Sequence, residues 1–215
     1  MDQHYRQGWN RYQELYDHCT SELAIGDAST SYSRIRYHPN TIRRILSHVP
    51  DVRIIYIVRH PLERMVSAYV YRLGTPGPGQ VFASINHAVR QQPMIIDSSR
   101  YWEVFDCYRK HFDESRIKII WFEEFTKNTG NTFKEVCRFL EIDDTIEIPI
   151  DHKHQNRRED ALQRMRNLGR ADVPIETQWD PETRKWVIDQ LHDDNCRFLA
   201  HFGKPANYWG DLFTS

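Results

Sequence analysis

An arginine and a serine that could hold one phosphate stand eight residues apart, at Arg59 and Ser67. Residues 53–58 are a short, continuous, β-branched run, which is typical of a buried parallel strand. Such a strand brings Arg59 to the carboxyl edge of a sheet, where α/β proteins hold their ligands. Pro61 then opens a helix whose first N–H groups and dipole favour an anion. Arg59 would bind a phosphate through a charge-assisted fork, and Ser67 would bind it through its hydroxyl about two turns into the helix.

The same residues have a second interpretation that needs no ligand. Arg59 can pair with Glu63 on the next turn, because an arginine at the end of a strand commonly meets an acid. Ser67 is then a small packing residue on the helix. The residue types and their spacing leave both interpretations open.

The elements that must position these residues alternate between strands and helices along the chain. Asp180 and Pro181 mark a clear helix start, with a capping side chain followed by proline at the first position. The predicted strands are 53–58 and 117–122, and the predicted helices include 61–73, 98–112, 131–140 and 180–202. This alternation indicates an α/β fold with a mostly parallel sheet, in a single domain spanning residues 1–215.

Composition excludes several classes of protein. The net charge is −1, from 29 Lys and Arg against 30 Asp and Glu, so general binding to nucleic acid is disfavoured. No stretch of about 18 apolar residues is present, so we expect no membrane contact within this chain and a cytoplasmic location. The four cysteines form no close pair and are expected to be reduced thiols.

The pattern Arg-x-Pro-x-x-Arg-x-x-Ser-x-Tyr over residues 59–69 follows an apolar strand directly. It resembles the 3′-phosphate-binding motif of sulfotransferases that use 3′-phosphoadenosine 5′-phosphosulfate (PAPS). The resemblance is closest to the branch that contains heparan sulfate sulfotransferases and their bacterial relatives. It implies that Arg59 and Ser67 bind the 3′-phosphate of the co-substrate, and that Arg64 and Tyr69 are structural.

Three further stretches agree with this family in their order and approximate spacing. Residues 25–32 resemble a segment that lies near the acceptor, and residues 101–140 resemble a helix–strand–Glu–helix unit. The C-terminal helix with Asp194, followed by Trp209, resembles the closing helix of the family. The resemblance covers roughly residues 5–210 and implies a P-loop-type, three-layer fold.

The sequence also departs from the family. Ala28 and Thr30 stand where the acceptor segment has Lys and Pro, so any contact made by that Lys is lost. The family begins with an apolar strand and a Gly-rich turn bearing Lys and Thr, and no such turn occurs here. We therefore expect the first strand and the P-loop to be absent, and the 215-residue chain to transfer no sulfate by itself. Strands 53–58 and 117–122 should be adjacent, or separated by about 10 Å.

The resemblance implies transfer of a sulfuryl group from PAPS to a hydroxyl or amine without a metal. The acceptor would be a small molecule or a carbohydrate, and catalysis would rest on positioning and charge stabilisation. One alternative is a non-catalytic remnant, or truncated gene product, that binds PAPS or its product adenosine 3′,5′-bisphosphate (PAP). Another is a kinase-like phosphotransferase, which would need a Walker Lys and Mg²⁺ ligands that the sequence does not show.

Three further groups of residues are weaker candidates for a functional site. Lys153 and Arg157 belong to a basic stretch that is either a loop closing on the phosphates, as one does in this family, or a solvated turn. His152 and His154 lack supporting ligands at metal-site spacing. Glu123 and its neighbour Glu124 end the second strand and are predicted to bond a loop backbone rather than to act as acid and base.

Overall fold

The sheet of this protein consists of two parallel strands in the part of the chain that the computed structural model describes. Those residues are 8–75, 82–146, 158–170 and 172–213. Strand β1 (Ile54–Val58) pairs with β2 (Ile117–Trp121), and the register places Ile54 opposite Ile117 and Val58 opposite Trp121. The predicted α/β class with a parallel sheet is confirmed. Direct pairing of the two strands is one of the two arrangements expected from the sequence.

Helices surround the two strands. Short 3₁₀ turns cover Glu14–Tyr16 and Glu114–Arg116. The α-helices are α1 (Trp9–Gln13), α2 (Thr41–His48), α3 (Pro61–Leu73), α4 (Ile85–Gln91), α5 (Pro93–Asp97), α6 (Tyr101–Arg109), α7 (Phe122–Lys127), α8 (Thr129–Leu140), α9 (Arg158–Asn167) and α10 (Pro181–His201).

The helix boundaries follow local chemistry closely at two places. Helix α3 begins at Pro61, which has no N–H to leave unpaired, and its C-cap is Gly74. Helix α10 begins as predicted, because the carboxylate of Asp180 accepts a hydrogen bond from the Thr183 N–H at 2.7 Å. Local residues therefore suffice to predict where both helices start.

Other boundaries differ from the predictions. Pro39 would suit the first turn of a helix, but α2 starts at Thr41, after a turn in which the Thr41 N–H donates to the His38 carbonyl. The second strand ends at Trp121 rather than at residue 122, because Phe122 opens the short helix α7. Helices α4 and α5 were not predicted, since each spans fewer than eight residues and shows little periodicity.

The core lies between β1, β2 and helices α3, α6 and α10, and it is rich in aromatic rings. The Phe198 ring lies 5.7 Å from Tyr101 and 5.5 Å from Trp121, measured between centroids. Trp209, beyond α10, lies 5.6 Å from Tyr101 and 5.7 Å from Trp121. Because Tyr101 belongs to this cluster and also touches the end of β1, the core helps to hold the loop that carries Arg59.

Candidate anion-binding site

Arg59 lies between the end of β1 and the start of α3, as the sequence predicts. His60 is the N-cap of α3, and its Nδ1 accepts a hydrogen bond from the Glu63 N–H at 3.4 Å. Burial of the imidazole lowers the pKa of His60, which favours the neutral ring that can accept this bond. The Glu63 N–H, one of the free N–H groups at this helix start that could bind an anion, therefore already bonds the N-cap side chain.

Two partly buried hydrogen bonds hold the backbone at Arg59 and His60. The Tyr101 hydroxyl donates to the Arg59 carbonyl at 2.5 Å, and the His60 N–H donates to Oε1 of Glu123 at 2.6 Å. The second contact confirms the prediction that Glu123 bonds a loop backbone. Glu124 instead accepts from the Tyr208 hydroxyl at 2.9 Å and pairs with Lys204.

The side chain of Arg59 pairs with Glu63, which is the ligand-free interpretation that the sequence allowed. Its Nη2 lies 2.8 Å from Oε2 of Glu63, and its Nε lies 3.3 Å from the same oxygen. The guanidinium also stacks 4.8 Å from the centroid of the Phe122 ring. Nη1 makes no hydrogen bond to any residue that the structure describes, and a third of the side chain is exposed. An incoming phosphate can therefore reach Arg59, but it must compete with Glu63.

Ser67 lies on the exposed side of α3, one turn beyond Glu63. Residues four apart share a helix face, so Glu63 and Ser67 lie on one face of α3, and the guanidinium of Arg59 reaches this face through its ion pair with Glu63. Ser67 forms no hydrogen bond within the described ranges. It is available to a ligand and does not serve the packing role that the second interpretation gave it.

Tyr69 plays the structural part that the motif implies. Its ring is almost fully buried, and its hydroxyl donates to the Phe82 carbonyl at 3.1 Å. This bond ties the middle of α3 to the segment that leads into α4. Tyr69 is therefore separate from the exposed line of Arg59 and Ser67.

The sequence model of the sulfotransferase domain family matches residues 3–185, which is most of the chain. This chain belongs to the sulfotransferase domain family. Its fold is also similar to the crystal structure of a sulfotransferase from Alicyclobacillus acidocaldarius, with a TM-score of 0.68 and 21% sequence identity. That similarity covers 94% of this chain and 74% of the other. No curated protein matches the chain.

Two of the predicted phosphate ligands of this sulfotransferase domain, Lys153 and Arg157, lie outside the described residues. The histidines at 152 and 154 lie there as well. Among the residues that are described, no three His, Cys, Asp or Glu side chains gather as a metal site would require. The described helices also include none that is long and apolar enough to cross a membrane.

Sequence reasoning missed two residues that shape the candidate site of this sulfotransferase domain. Phe122 stacks on Arg59, and its position directly after a parallel strand was the available signal, since the carboxyl ends of neighbouring strands share one edge of a sheet. Tyr101 falls within the predicted helix 98–112, and its hydroxyl bonds the Arg59 carbonyl. No local pattern marks its hydroxyl as a partner for a carbonyl 42 residues earlier.

Proposed function

We propose that this protein binds PAPS, or its product PAP, through Arg59 and Ser67, and that it transfers the sulfuryl group to a hydroxyl or amine. In this reaction the acceptor oxygen or nitrogen attacks sulfur, the bond from sulfur to the bridging oxygen breaks, and PAP leaves. The acceptor loses one proton to a base or to solvent. A carbohydrate or a smaller molecule can supply the acceptor group.

The observation that carries the proposal is that Arg59 pairs with Glu63 on the face of α3 that also carries Ser67. Arg59 is held in place through its backbone, while its Nη1 is free of any bond to a described residue. The exposed hydroxyl of Ser67 lies along the same helix face. A tetrahedral phosphate with several acceptor oxygens can use both groups at once.

Calorimetry with two nucleotides tests the phosphate clamp. We expect Arg59→Ala to weaken PAP binding by about 2–3 kcal/mol, or roughly 30- to 150-fold, because a charge-assisted fork is lost. Adenosine 5′-phosphate lacks the 3′-phosphate and should bind weakly to both proteins. Arg43→Ala is the matched control, because Arg43 is exposed on α2 and bonds Asn40. If Arg59→Ala weakened the binding of PAP and adenosine 5′-phosphate equally, Arg59 would not be a ligand of the 3′-phosphate.

Binding without transfer is the second candidate function. It is favoured by the sequence of these 215 residues, which has no Gly-rich turn bearing Lys and Thr and which we therefore expect to transfer no sulfate by itself. Transfer of labelled sulfate from PAPS to a panel of hydroxyl and amine acceptors separates the two functions. Transfer that Arg59→Ala abolishes supports the enzyme, whereas PAP binding without transfer to any acceptor supports the binding protein.

A further inference from the structure

His60 is an unusual residue to cap a helix. It is the N-cap of α3, where its Nδ1 accepts a hydrogen bond from the Glu63 N–H at 3.4 Å. Serine, threonine, aspartate and asparagine are the residues that usually cap helices in this way. Three other α-helices in the described ranges have a capping side chain, and they follow this preference, with Ser84 on α4, Asn128 on α8 and Asp180 on α10. Capping alone therefore does not explain a histidine at position 60.

The second ring nitrogen of His60 is a hydrogen-bond donor. Burial lowers the pKa of the imidazole, although the charges of Glu63 and Glu123 act in the opposite direction. In a neutral imidazole one nitrogen carries the proton and the other accepts a hydrogen bond. Because Nδ1 accepts the bond from the Glu63 N–H, the proton is on Nε2. The cap thus fixes the tautomer and makes Nε2 a neutral N–H donor.

Nε2 of His60 is accessible to a ligand. It forms no hydrogen bond to any residue that the structure describes, and it is not one of the buried side-chain nitrogens that lack a partner. The residue is half-buried, so this nitrogen is on the part of the ring that is open to solvent. A ligand can therefore accept from Nε2 while Nδ1 keeps its bond to the start of the helix.

The side chains of Arg59 and His60 both contact Glu63. Nη2 of Arg59 lies 2.8 Å from Oε2 of Glu63, while the His60 ring bonds the backbone N–H of the same residue. The backbone of the two residues is held as well, at the Arg59 carbonyl by Tyr101 and at the His60 N–H by Glu123. Nη1 of Arg59 and Nε2 of His60 are thus two free donors on neighbouring side chains that are fixed to one turn of α3.

We propose that His60 is a further ligand of the phosphate that Arg59 binds, and that it donates a hydrogen bond from Nε2 to a phosphate oxygen. This role rests on the proposed function, because the ligand is the 3′-phosphate of PAPS or PAP. A phosphate has several acceptor oxygens, so it can accept from the guanidinium and from a neutral imidazole together. The cap at Nδ1 positions the ring, and Nε2 contacts the ligand.

His60→Ser separates the two roles of the residue, because serine caps a helix well but has no donor in the place of Nε2. We expect this variant to bind PAP about five- to tenfold more weakly in titration calorimetry, since one hydrogen bond to a charged group is lost. Its melting temperature should be unchanged or higher, and its affinity for adenosine 5′-phosphate should not change. Asn128→Ser, the matched control, replaces the N-cap of α8 and should leave PAP affinity unchanged.

Nitrogen-15 NMR of the imidazole rings tests the same role in the wild-type protein. The His60 signals are those that His60→Ser or His60→Asn lacks. We expect a proton on Nε2 and none on Nδ1 in the ligand-free protein, and we expect PAP, but not adenosine 5′-phosphate, to shift the Nε2–H signal.

Three results would overturn the role of His60: a proton on Nδ1 in the ligand-free protein, an Nε2–H signal that PAP does not shift, or wild-type PAP affinity in His60→Ser. Equal weakening of PAP and adenosine 5′-phosphate in His60→Ser would also overturn it, because the ring would then not contact the 3′-phosphate. The proposed function is tested at a different residue, since it fails if Arg59→Ala leaves PAP binding unchanged.

Discussion

At the scale of single residues, the candidate phosphate site is a competition for one guanidinium. Arg59 is bound by Glu63, so the ligand-free protein keeps its arginine partly neutralised. The pair is partly exposed, with a third of the Arg59 side chain and just over half of the Glu63 side chain open to solvent, and exposed pairs stabilise a protein by about 0–1 kcal/mol. A phosphate can therefore displace Glu63 at little cost, although the carboxylate lowers the affinity for any anion.

Glu63→Gln should strengthen PAP binding by up to about fivefold, because the competing carboxylate is removed while the shape of the side chain is kept. Titration calorimetry measures the change. Glu135→Gln is a close control: Glu135 is 58% exposed, against 57% for Glu63, and it pairs with Lys118 at 3.2 Å. Weaker PAP binding in Glu63→Gln would mean that Glu63 orients Arg59 instead of competing for it.

At the scale of elements, the loop between β1 and α3 is held by a helix that is distant in sequence. Tyr101 begins α6, is fully buried, and reaches Arg59 with its hydroxyl, which donates to the carbonyl and accepts from the N–H at 3.4 Å. Glu123, in α7, holds the next N–H along the chain. Two helices, α6 and α7, thus position the backbone from which the Arg59 side chain projects.

Tyr101→Phe should lower the free energy of unfolding by about 1–3 kcal/mol, because the backbone groups of Arg59 lose their partner in a buried place. It should also weaken PAP binding, since the arginine is less firmly positioned. Chemical denaturation and calorimetry give the two values. Tyr69→Phe removes a similar bond to the Phe82 carbonyl, so it should cost stability and leave PAP affinity unchanged. If Tyr101→Phe and Tyr69→Phe bound PAP with equal affinity, Tyr101 would have no role in positioning Arg59 for the ligand.

At the scale of the whole molecule, α10 joins the aromatic core to the start of α6. Asp194, on α10, accepts hydrogen bonds from the N–H groups of Trp102 and Glu103 at 3.0 and 2.8 Å. Burial raises the pKa of Asp194 to about 6 from its usual 3.8, although both bonds act in the opposite direction. The N–H groups at the start of α6 are therefore bonded by a carboxyl group whose ionisation burial opposes. The stability of the fold is thus coupled to pH.

Between pH 4 and pH 6 the folded protein holds a proton on Asp194 that the unfolded chain has released. The contribution of this raised pKa to stability is therefore greatest at low pH and is lost as pH rises to about 6. Relative to wild type, Asp194→Asn should gain about 2–3 kcal/mol across this range, because asparagine does not ionise. Urea denaturation at several pH values measures the difference. Asp193→Asn, whose carboxylate is 98% exposed, should show little trend, and a flat difference for Asp194→Asn would contradict the coupling.

The sequence predicts the structural features that depend on residues close together in the chain, which are the strand β1 and the starts of helices α3 and α10. The β-branched run 54–58, the proline at 61, the glycine at 74 and the cap at Asp180 act through local backbone geometry, and the structure has each element where these residues place it. The position of Arg59 after a buried strand follows in the same way. Local sterics and hydrogen bonding are the physical reason, since they need no knowledge of distant contacts.

Only the tertiary structure decided which partners the side chains meet. The sequence allowed Arg59 to pair with Glu63 or to stand free, and packing against Phe122 accompanies the pair that is observed. The direct pairing of β1 with β2 joins segments 63 residues apart, and the hydrogen bond from the Tyr101 hydroxyl to the Arg59 carbonyl spans 42 positions. Such contacts depend on how the helices pack around the core, and no local pattern in the chain encodes them.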